Sequence, residues 1–289
     1  MINYEIVKNW SFGDIVQRYT ERDTMLYALG IGMGADPMDE AELAFVYERQ
    51  LQAVPTMVSA LGSPGPWLRD LRTGADYVKL VHGEQSIRLL QPLPPAATLV
   101  VRNRVLSLTD KGAGKGAIAV ILRELREQGR EQLVAESRQV TFLRGDGGFS
   151  AQSGVSDPGP PPLPAVPERV PDLELSLPTL ERQALIYRLS GDYNPLHSDP
   201  AVARAAGFSR PILHGLCTYG MAAHALLRSI CQYQAARLRE LAVRFTAPVY
   251  PGETIRFQIW QGSPGDWHLR ARVDARDAVV LNNGLARLA

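Results

Sequence analysis

Two segments of the N-terminal half recur, in the same order and without gaps, in the C-terminal half. Each match is short, but together they predict a duplicated fold. Arg88 matches Arg244 in one pair, and Tyr27 matches Tyr187 in the other. The matched segments are IRLLQPLPPAATLVV (87–101) with VRFTAPVYPGETIRF (243–257), and ERDTMLYAL (21–29) with ERQALIYRL (181–189).

A proline-rich stretch separates the two halves. Seven of the 21 prolines lie between Pro158 and Pro171, within AQSGVSDPGPPPLPAVPERVPD (151–172). Proline lacks a backbone N–H and favours extended chain, so this stretch is typical of a linker. We therefore expect an N-terminal domain over residues 1–150, a linker over 151–172 and a C-terminal domain over 173–289.

Both halves read as strands accompanied by a central helix. The segment PILHGLCTYGMAAHALLRSICQYQ (211–234) is apolar around most of a helical circumference, which predicts a buried helix. Its N-terminal counterpart, VYERQLQAVPTMVSALG (46–62), is interrupted by Pro55 and is expected to be shorter and less regular. Short apolar runs separated by turn residues predict four strands in each half. These are SIRLL, TLVVRNRVLSL, GAIAVILREL and LVAESRQVTFL, then LAVRFTAPV, TIRFQIW, WHLRARVDA and AVVLNNGLARL.

The composition excludes several classes of protein. Apolar residues make up 45% of the chain, charged residues 21%, and the formal net charge is +1, so nothing favours a nucleic-acid or membrane partner. Two cysteines, Cys217 and Cys231, do not form a disulfide framework, and no metal-ligand spacing is present. The N-terminus lacks the pattern of a signal peptide and no apolar run could span a membrane, so a cytoplasmic protein is expected.

An acid, an amide and an imidazole fall within six residues on SGDYNPLHSDP (190–200). Asp192 and His197 together could take a proton from a water molecule and return one elsewhere, with Asn194 orienting one of them. The alternative is a plain turn, because Asp and Asn often bond their own backbone in loops. The repeat sets glycines opposite Asp192 and Asn194, which favours a chemical role confined to one half.

Gly215 stands at the start of the expected buried helix. Backbone N–H groups in a first helical turn have no intrahelical partner, and a glycine lets a substrate carbonyl approach them closely. This arrangement is typical of an oxyanion site. The alternative is that the helix glycines are small only so that strands can cross closely.

YRLSGDYNPLHSDP followed by GFSRPILHGLCTYG closely resembles the hydratase 2 motif of MaoC-like (R)-specific enoyl-CoA hydratases, including the hydratase domain of peroxisomal multifunctional enzyme type 2. The resemblance covers nearly the whole chain. It implies an α+β double hot dog, two antiparallel sheets each wrapped around a central helix, with an acyl-chain pocket in a non-catalytic N-terminal domain. It implies catalytic roles for Asp192, His197, Asn194 and Gly215. It also implies substrate-binding roles for His82, Gly83, Lys111, Tyr193, Pro195, Leu196 and Phe245.

The resemblance implies hydration of trans-2-enoyl-CoA to (R)-3-hydroxyacyl-CoA, and the reverse dehydration, as in fatty acid β-oxidation. Acyl-CoA is then the substrate, with no further cofactor and no metal, and a homodimer is expected. Two alternatives stay open. One is a hot-dog thioesterase that hydrolyses acyl-CoA, and the other is a non-catalytic acyl-CoA binding module.

Overall fold

A computed structural model describes residues 2–130 and 132–289. The described strands form a ten-stranded antiparallel sheet. In chain order they are β1 (Asp14–Tyr19), β2 (Leu80–Leu89), β3 (Ala97–Asp110), β4 (Ala117–Glu127), β5 (Leu133–Leu143), β6 (Leu173–Pro178), β7 (Leu238–Phe245), β8 (Thr254–Gln261), β9 (Asp266–Val273) and β10 (Ala278–Leu288). Their order in the sheet is β1-β3-β4-β5-β2-β7-β10-β9-β8-β6.

The two halves join edge to edge through β2 and β7. In this antiparallel pairing Ser86 lies opposite Ala242. The repeat that matches Arg88 to Arg244 also matches Ser86 to Ala242, so each lies opposite its own counterpart. Outside the sheet, the rings of the matched Tyr27 and Tyr187 lie 5.9 Å apart. When two copies of a unit are related by a pseudo-twofold axis, matched residues near the axis contact each other. The expected double hot dog is confirmed.

The described helices lie in the chain segments before and between the strands. The α-helices are α1 (Tyr4–Lys8), α2 (Glu21–Gly30), α3 (Glu40–Leu43), α4 (Ser150–Ser153), α5 (Gln183–Tyr187), α6 (Pro200–Ala205) and α7 (Gly215–Ser229). The 3₁₀ helices are Pro55–Ser59, Trp67–Arg69, Leu71–Thr73, Tyr77–Lys79, Arg188–Ser190, Pro195–His197, Ala235–Arg237 and Asp274–Arg276. None of the described helices is long and apolar enough to cross a membrane.

Helix α7 is the predicted central helix, and it is buried from Cys217 to Leu227. At its middle, a Cβ on Gly220 would lie 2.4 Å from the Cγ2 atom of Ile31. Gly220 is therefore small because the N-terminal half crosses the helix closely, which is the packing explanation considered for both helix glycines.

The N-terminal half lacks an equivalent α-helix. The segment before Pro55 is irregular, and only Pro55–Ser59 forms a 3₁₀ helix, as the interruption at Pro55 predicts. The buried Arg123 guanidinium of β4 donates to the carbonyls of Ser59 and Leu61, at 2.9 and 2.7 Å. This pairing satisfies carbonyls that a longer helix would have bonded internally. The central helix is thus reduced to little more than one turn in this half.

The proline-rich stretch begins within α4, and residues 155–172 then form no helix or strand and contact both halves. Tyr4 and Lys8 of α1 bond the Asp157 carboxylate, and Trp260 of β8 donates to the Arg169 carbonyl. The division of the chain at residues 150 and 172 remains a prediction.

Candidate active site

The polar loop lies between two 3₁₀ turns, Arg188–Ser190 and Pro195–His197. Gly191 follows the first turn with φ of 116°, a conformation that glycine adopts without strain. The Asn194 side chain caps the second turn by accepting from Leu196 N at 3.2 Å. These local bonds fix the short path between Asp192 and His197.

His197 is held in one tautomer. Its ring is buried, and Nδ1 lies 2.9 Å from the carbonyl oxygen of Ile212. Because a carbonyl only accepts, Nδ1 carries the proton and Nε2 of the neutral ring carries a lone pair. Burial lowers the pKa of His197, although the Ile212 carbonyl and the Asp192 carboxylate both favour its protonated form. The neutral ring is thus a proton acceptor.

Asp192, His197 and His214 converge on one point. Each offers one nitrogen or carboxylate oxygen, and these atoms all lie within 4.8 Å of one another. The backbone N–H of Asn194 donates to Asp192 Oδ1 at 3.2 Å, which supports the carboxylate. Since a hydrogen bond to water spans about 2.8 Å, one water molecule can contact two of these groups at once.

His214 is a third side chain of this cluster, and the sequence did not single it out. Its ring stacks on His197 with centroids 3.8 Å apart, and its Nε2 lies 3.1 Å from the backbone oxygen of Asp192. Burial is the main cause that lowers the pKa of His214 to about 4, and the nearby His197 is the second. The His214 ring is therefore neutral at neutral pH. The available signal was its place in PILHG, immediately before Gly215.

Gly215 is the first residue of α7, as expected, so its N–H has no partner within the helix. No side chain caps this helix end among the described residues. The Phe245 ring lies alongside, with Cε1 3.3 Å from where a Cβ on Gly215 would be. His214 directly precedes Gly215, so a member of the polar trio is the N-cap residue of this helix.

His82 joins the site from the N-terminal half. Its ring meets Phe245 edge-on with centroids 4.8 Å apart, and its buried Nε2 has no hydrogen-bond partner among the described residues. Burial lowers the pKa of His82 to about 4, and the Asp192 carboxylate opposes this effect weakly. Gly83 forms a bulge in β2 opposite β5, where a Cβ would lie 3.4 Å from the Val140 oxygen.

The remaining residues predicted to bind substrate are mostly exposed. Tyr193 is exposed, with the Arg188 guanidinium 4.9 Å from its ring centroid. Pro195 is exposed and Leu196 is half-buried, both within the second 3₁₀ turn. Lys111 is exposed in the β3–β4 hairpin. Two strands separate β3 from β2, so this hairpin lies about 14 Å sideways from the strand of His82.

The trio has the composition of a metal site but not its geometry. The two imidazoles stack with only 28° between their planes, so their in-plane lone pairs cannot converge on one ion. The arrangement suits the binding of water better than the binding of a metal.

Comparison with known proteins identifies the family. Residues 17–145 match the MFE-2 hydratase 2 N-terminal domain, and residues 163–283 match the MaoC like domain. A Mycobacterium tuberculosis protein named 3-hydroxyacyl-thioester dehydratase Y is 42% identical over 92% of this chain and 91% of its own length. The chain belongs to the MaoC-like hydratase 2 family.

Two further relatives of this MaoC-like hydratase 2 chain are similar over most of its length. The peroxisomal enoyl-CoA hydratase 2 of Arabidopsis thaliana is 42% identical over 84% of the chain and 82% of its own length. The crystal structure of a MaoC-like dehydratase from Phytophthora capsici superposes with a TM-score of 0.84 at 32% identity, covering 100% of this chain and 99% of that one. In the present chain the MaoC-like match contains the trio, Gly215 and Phe245. The hydratase 2 N-terminal match contains His82, Gly83 and Lys111.

Proposed function

We propose that the protein catalyses the (R)-specific hydration of trans-2-enoyl-CoA to (R)-3-hydroxyacyl-CoA, and the reverse dehydration. It is a hydro-lyase of the hydratase 2 type, as in fatty acid β-oxidation. The observation that carries the mechanism is the convergence of Asp192, His197 and His214 within 4.8 Å, with Gly215 following His214 as the first residue of α7.

The water molecule is activated by Asp192 and His197 in this mechanism. Both groups accept hydrogen bonds from one water, and His197 Nε2 has the lone pair that receives its proton. The water oxygen then bonds to C3 of the enoyl group, and the electron pair of the double bond moves towards the thioester oxygen. The proton returns to C2 on the same face, so water is the only co-reactant. No cofactor or metal is part of the proposal.

The thioester oxygen gains negative charge as the enolate develops. In the proposed complex this oxygen accepts from the Gly215 N–H, where the N-terminal end of α7 also favours negative charge. The neighbouring His82 and Gly83 border the thioester, and Phe245 packs against the pantetheine arm. A neutral His82, with its low pKa, can bond there without adding a second charge.

The remaining predicted residues fit the ends of a long substrate. Lys111, exposed on its hairpin, is proposed to meet the coenzyme A phosphates. Tyr193, Pro195 and Leu196 form the rim of the polar loop where the substrate enters. Asn194 supports the catalytic pair through its backbone N–H and through the turn that its side chain caps.

The acyl chain is proposed to enter the N-terminal half. A cavity of about 170 Å³ lies between Leu189–Gly191, the residues just before Asp192, and Tyr27, Met57 and Ala60 of the N-terminal half. This space lies where the shortened Pro55–Ser59 helix leaves room. A second cavity, of about 260 Å³, is lined by Leu51–Ala53 and Pro92–Pro95 near Ala235. It lies beyond the far end of α7, roughly 20 Å from Gly215 by the helical rise.

One assay separates hydration from its alternatives. With crotonyl-CoA, hydration removes the enoyl absorbance, releases no free thiol and gives the (R)-3-hydroxy product in a chiral separation. Thiol release detected by a thiol reagent would instead identify the thioesterase. Binding of crotonyl-CoA without turnover would identify the binding module.

Acyl-CoA is the proposed small-molecule partner, and a homodimer is the proposed assembly. Light scattering after gel filtration would then give about twice the chain mass of 31.7 kDa. The cytoplasm is the proposed compartment, because the buried Cys217 and Cys231 are both free thiols. Imaging of a fluorescent fusion in the source cell tests this, since another compartment would contradict it.

A further inference from the structure

His214 occupies a confined place between two other rings. Its side chain is 1% exposed, with one face stacked on His197 at 3.8 Å between centroids. Tyr187 lies near it from another side, with ring centroids 5.0 Å apart and planes inclined by 50°. The imidazole therefore has little freedom to rotate, and any change in its size is transmitted to His197.

The ring also bonds the backbone of the polar loop. Nε2 lies 3.1 Å from the Asp192 carbonyl oxygen, so Nε2 carries the proton. Nδ1 is buried without a hydrogen-bond partner among the described residues. Leaving a buried acceptor unpaired costs free energy, roughly 1–3 kcal/mol. A ring kept solely for packing would avoid that cost.

Two further features shape the backbone around Asp192. Gly191 adopts a left-handed conformation before it, and the Asn194 N–H bonds the carboxylate after it. The hydrogen bond from His214, the residue before Gly215, holds the Asp192 carbonyl near the start of α7. The water-binding groups and the oxyanion N–H are thereby connected through one side chain.

We infer that His214 is a positioning residue for the reaction. Its N–H fixes the backbone of Asp192, and its ring fixes the plane of His197, so that both groups contact the same water opposite the Gly215 N–H. It acts through these neighbours and does not itself touch the reacting atoms. This inference rests on the proposed hydratase activity for its kinetic test, but not for its spectroscopic test.

The kinetic test separates the hydrogen bond from the stacking. In H214F the ring can still stack on His197 but cannot donate to Asp192. In H214Q the amide nitrogen stands as many bonds from Cα as Nε2 does and can donate. With crotonyl-CoA we expect kcat of H214F to fall on the order of 10²-fold, with little change in KM. The kcat of H214Q should be at least about tenfold higher than that of H214F.

Unchanged kcat in a folded H214F variant would overturn the role of the hydrogen bond. So would a loss confined to KM, or an H214Q variant no better than H214F. If H214F does not fold, H214N replaces it, because its amide is too short to reach the Asp192 carbonyl. Circular dichroism and thermal unfolding establish that each variant is folded.

The spectroscopic test reads the stacking directly. Ring ¹⁵N shifts of the five histidines can be assigned by substituting them one at a time. We expect a single Nδ1–H tautomer for His197 in the wild type and in H214F. In H214A the stack is lost and the His197 ring can turn away from the Ile212 carbonyl, so we expect a mixture of tautomers. A wild-type His197 signature in H214A would overturn the stacking role. If the wild type does not hydrate crotonyl-CoA, the proposed function fails, while this measurement still decides the position of His197.

Discussion

The Phe245 ring lies against Gly215 so closely that a Cβ on the glycine would come within 3.3 Å of Cε1 and 3.4 Å of Cδ1. The ring therefore forms one wall beside the N–H proposed to bind the thioester oxygen. The same ring meets His82 from the N-terminal half. Phe245 thus connects the oxyanion site to the strand proposed to border the thioester.

We expect G215A to lower kcat/KM for crotonyl-CoA by roughly tenfold to a hundredfold. The added methyl group keeps the N–H but crowds the approach of the carbonyl and displaces the ring. The melting temperature should not fall, because alanine favours the helix more than glycine does. Adding F245L should relieve the crowding, so the double variant should lose less than the product of the two single losses. Losses that simply multiply would show that the Phe245 contact is unimportant.

Asn194 should tolerate a residue that preserves its capping oxygen. Its Oδ1 accepts from Leu196 N, so we expect N194S to keep more activity than N194A. N194A should also destabilise the loop by about 1 kcal/mol, measured by urea unfolding. Equal and complete inactivation of both variants would indicate that the side-chain amide contacts the substrate or water directly.

The buried His214 should make folding sensitive to acid. Above pH 6.5 its ring is neutral in both the folded and the unfolded chain. As the pH falls from 6.5 towards its folded pKa of about 4, only the unfolded chain takes up the proton. The free energy of unfolding should therefore fall by about 3 kcal/mol from this group. H214Q, measured by urea unfolding at both pH values, should show a smaller decrease, and an identical decrease would contradict the assignment.

A buried pair, His224 of α7 and Glu42 of α3, joins α7 to the N-terminal half. His224 Nε2 lies 2.6 Å from Glu42 Oε1, and both side chains are almost fully buried. H224L should lower the free energy of unfolding by about 1–3 kcal/mol, because the buried Glu42 carboxyl loses the imidazole that lies against it. The double variant E42L/H224L should recover most of that stability. If H224L alone is as stable as the wild type, the pair does not stabilise the seam.

The sequence predicted the repeated parts of the fold well. All eight strands anticipated from apolar runs are present. Strands β1 and β6 were not anticipated. Both are edge strands of six residues. The DIVQRY of β1 does not alternate by residue type, whereas the LELSLP of β6 alternates leucine with polar residues and could have been predicted as a strand.

The candidate site was predictable in composition but not in all its contacts. The motif identified Asp192, His197 and Gly215, because chemically distinctive residues are close together in the chain. His214 was passed over because its role depends on a ring stack and a carbonyl that only folding brings together. For Asn194, the side-chain bond to Leu196 belongs to the turn, which is the alternative weighed from the sequence.

The most direct test is the hydration rate of crotonyl-CoA by D192A and H197A, measured beside the wild type as loss of enoyl absorbance. Each substitution removes one of the two groups that hold the water, so we expect a loss of at least about 10²-fold, with thermal unfolding showing both variants folded. Wild-type turnover by a well-folded D192A variant would contradict the assignment of the water-activating pair.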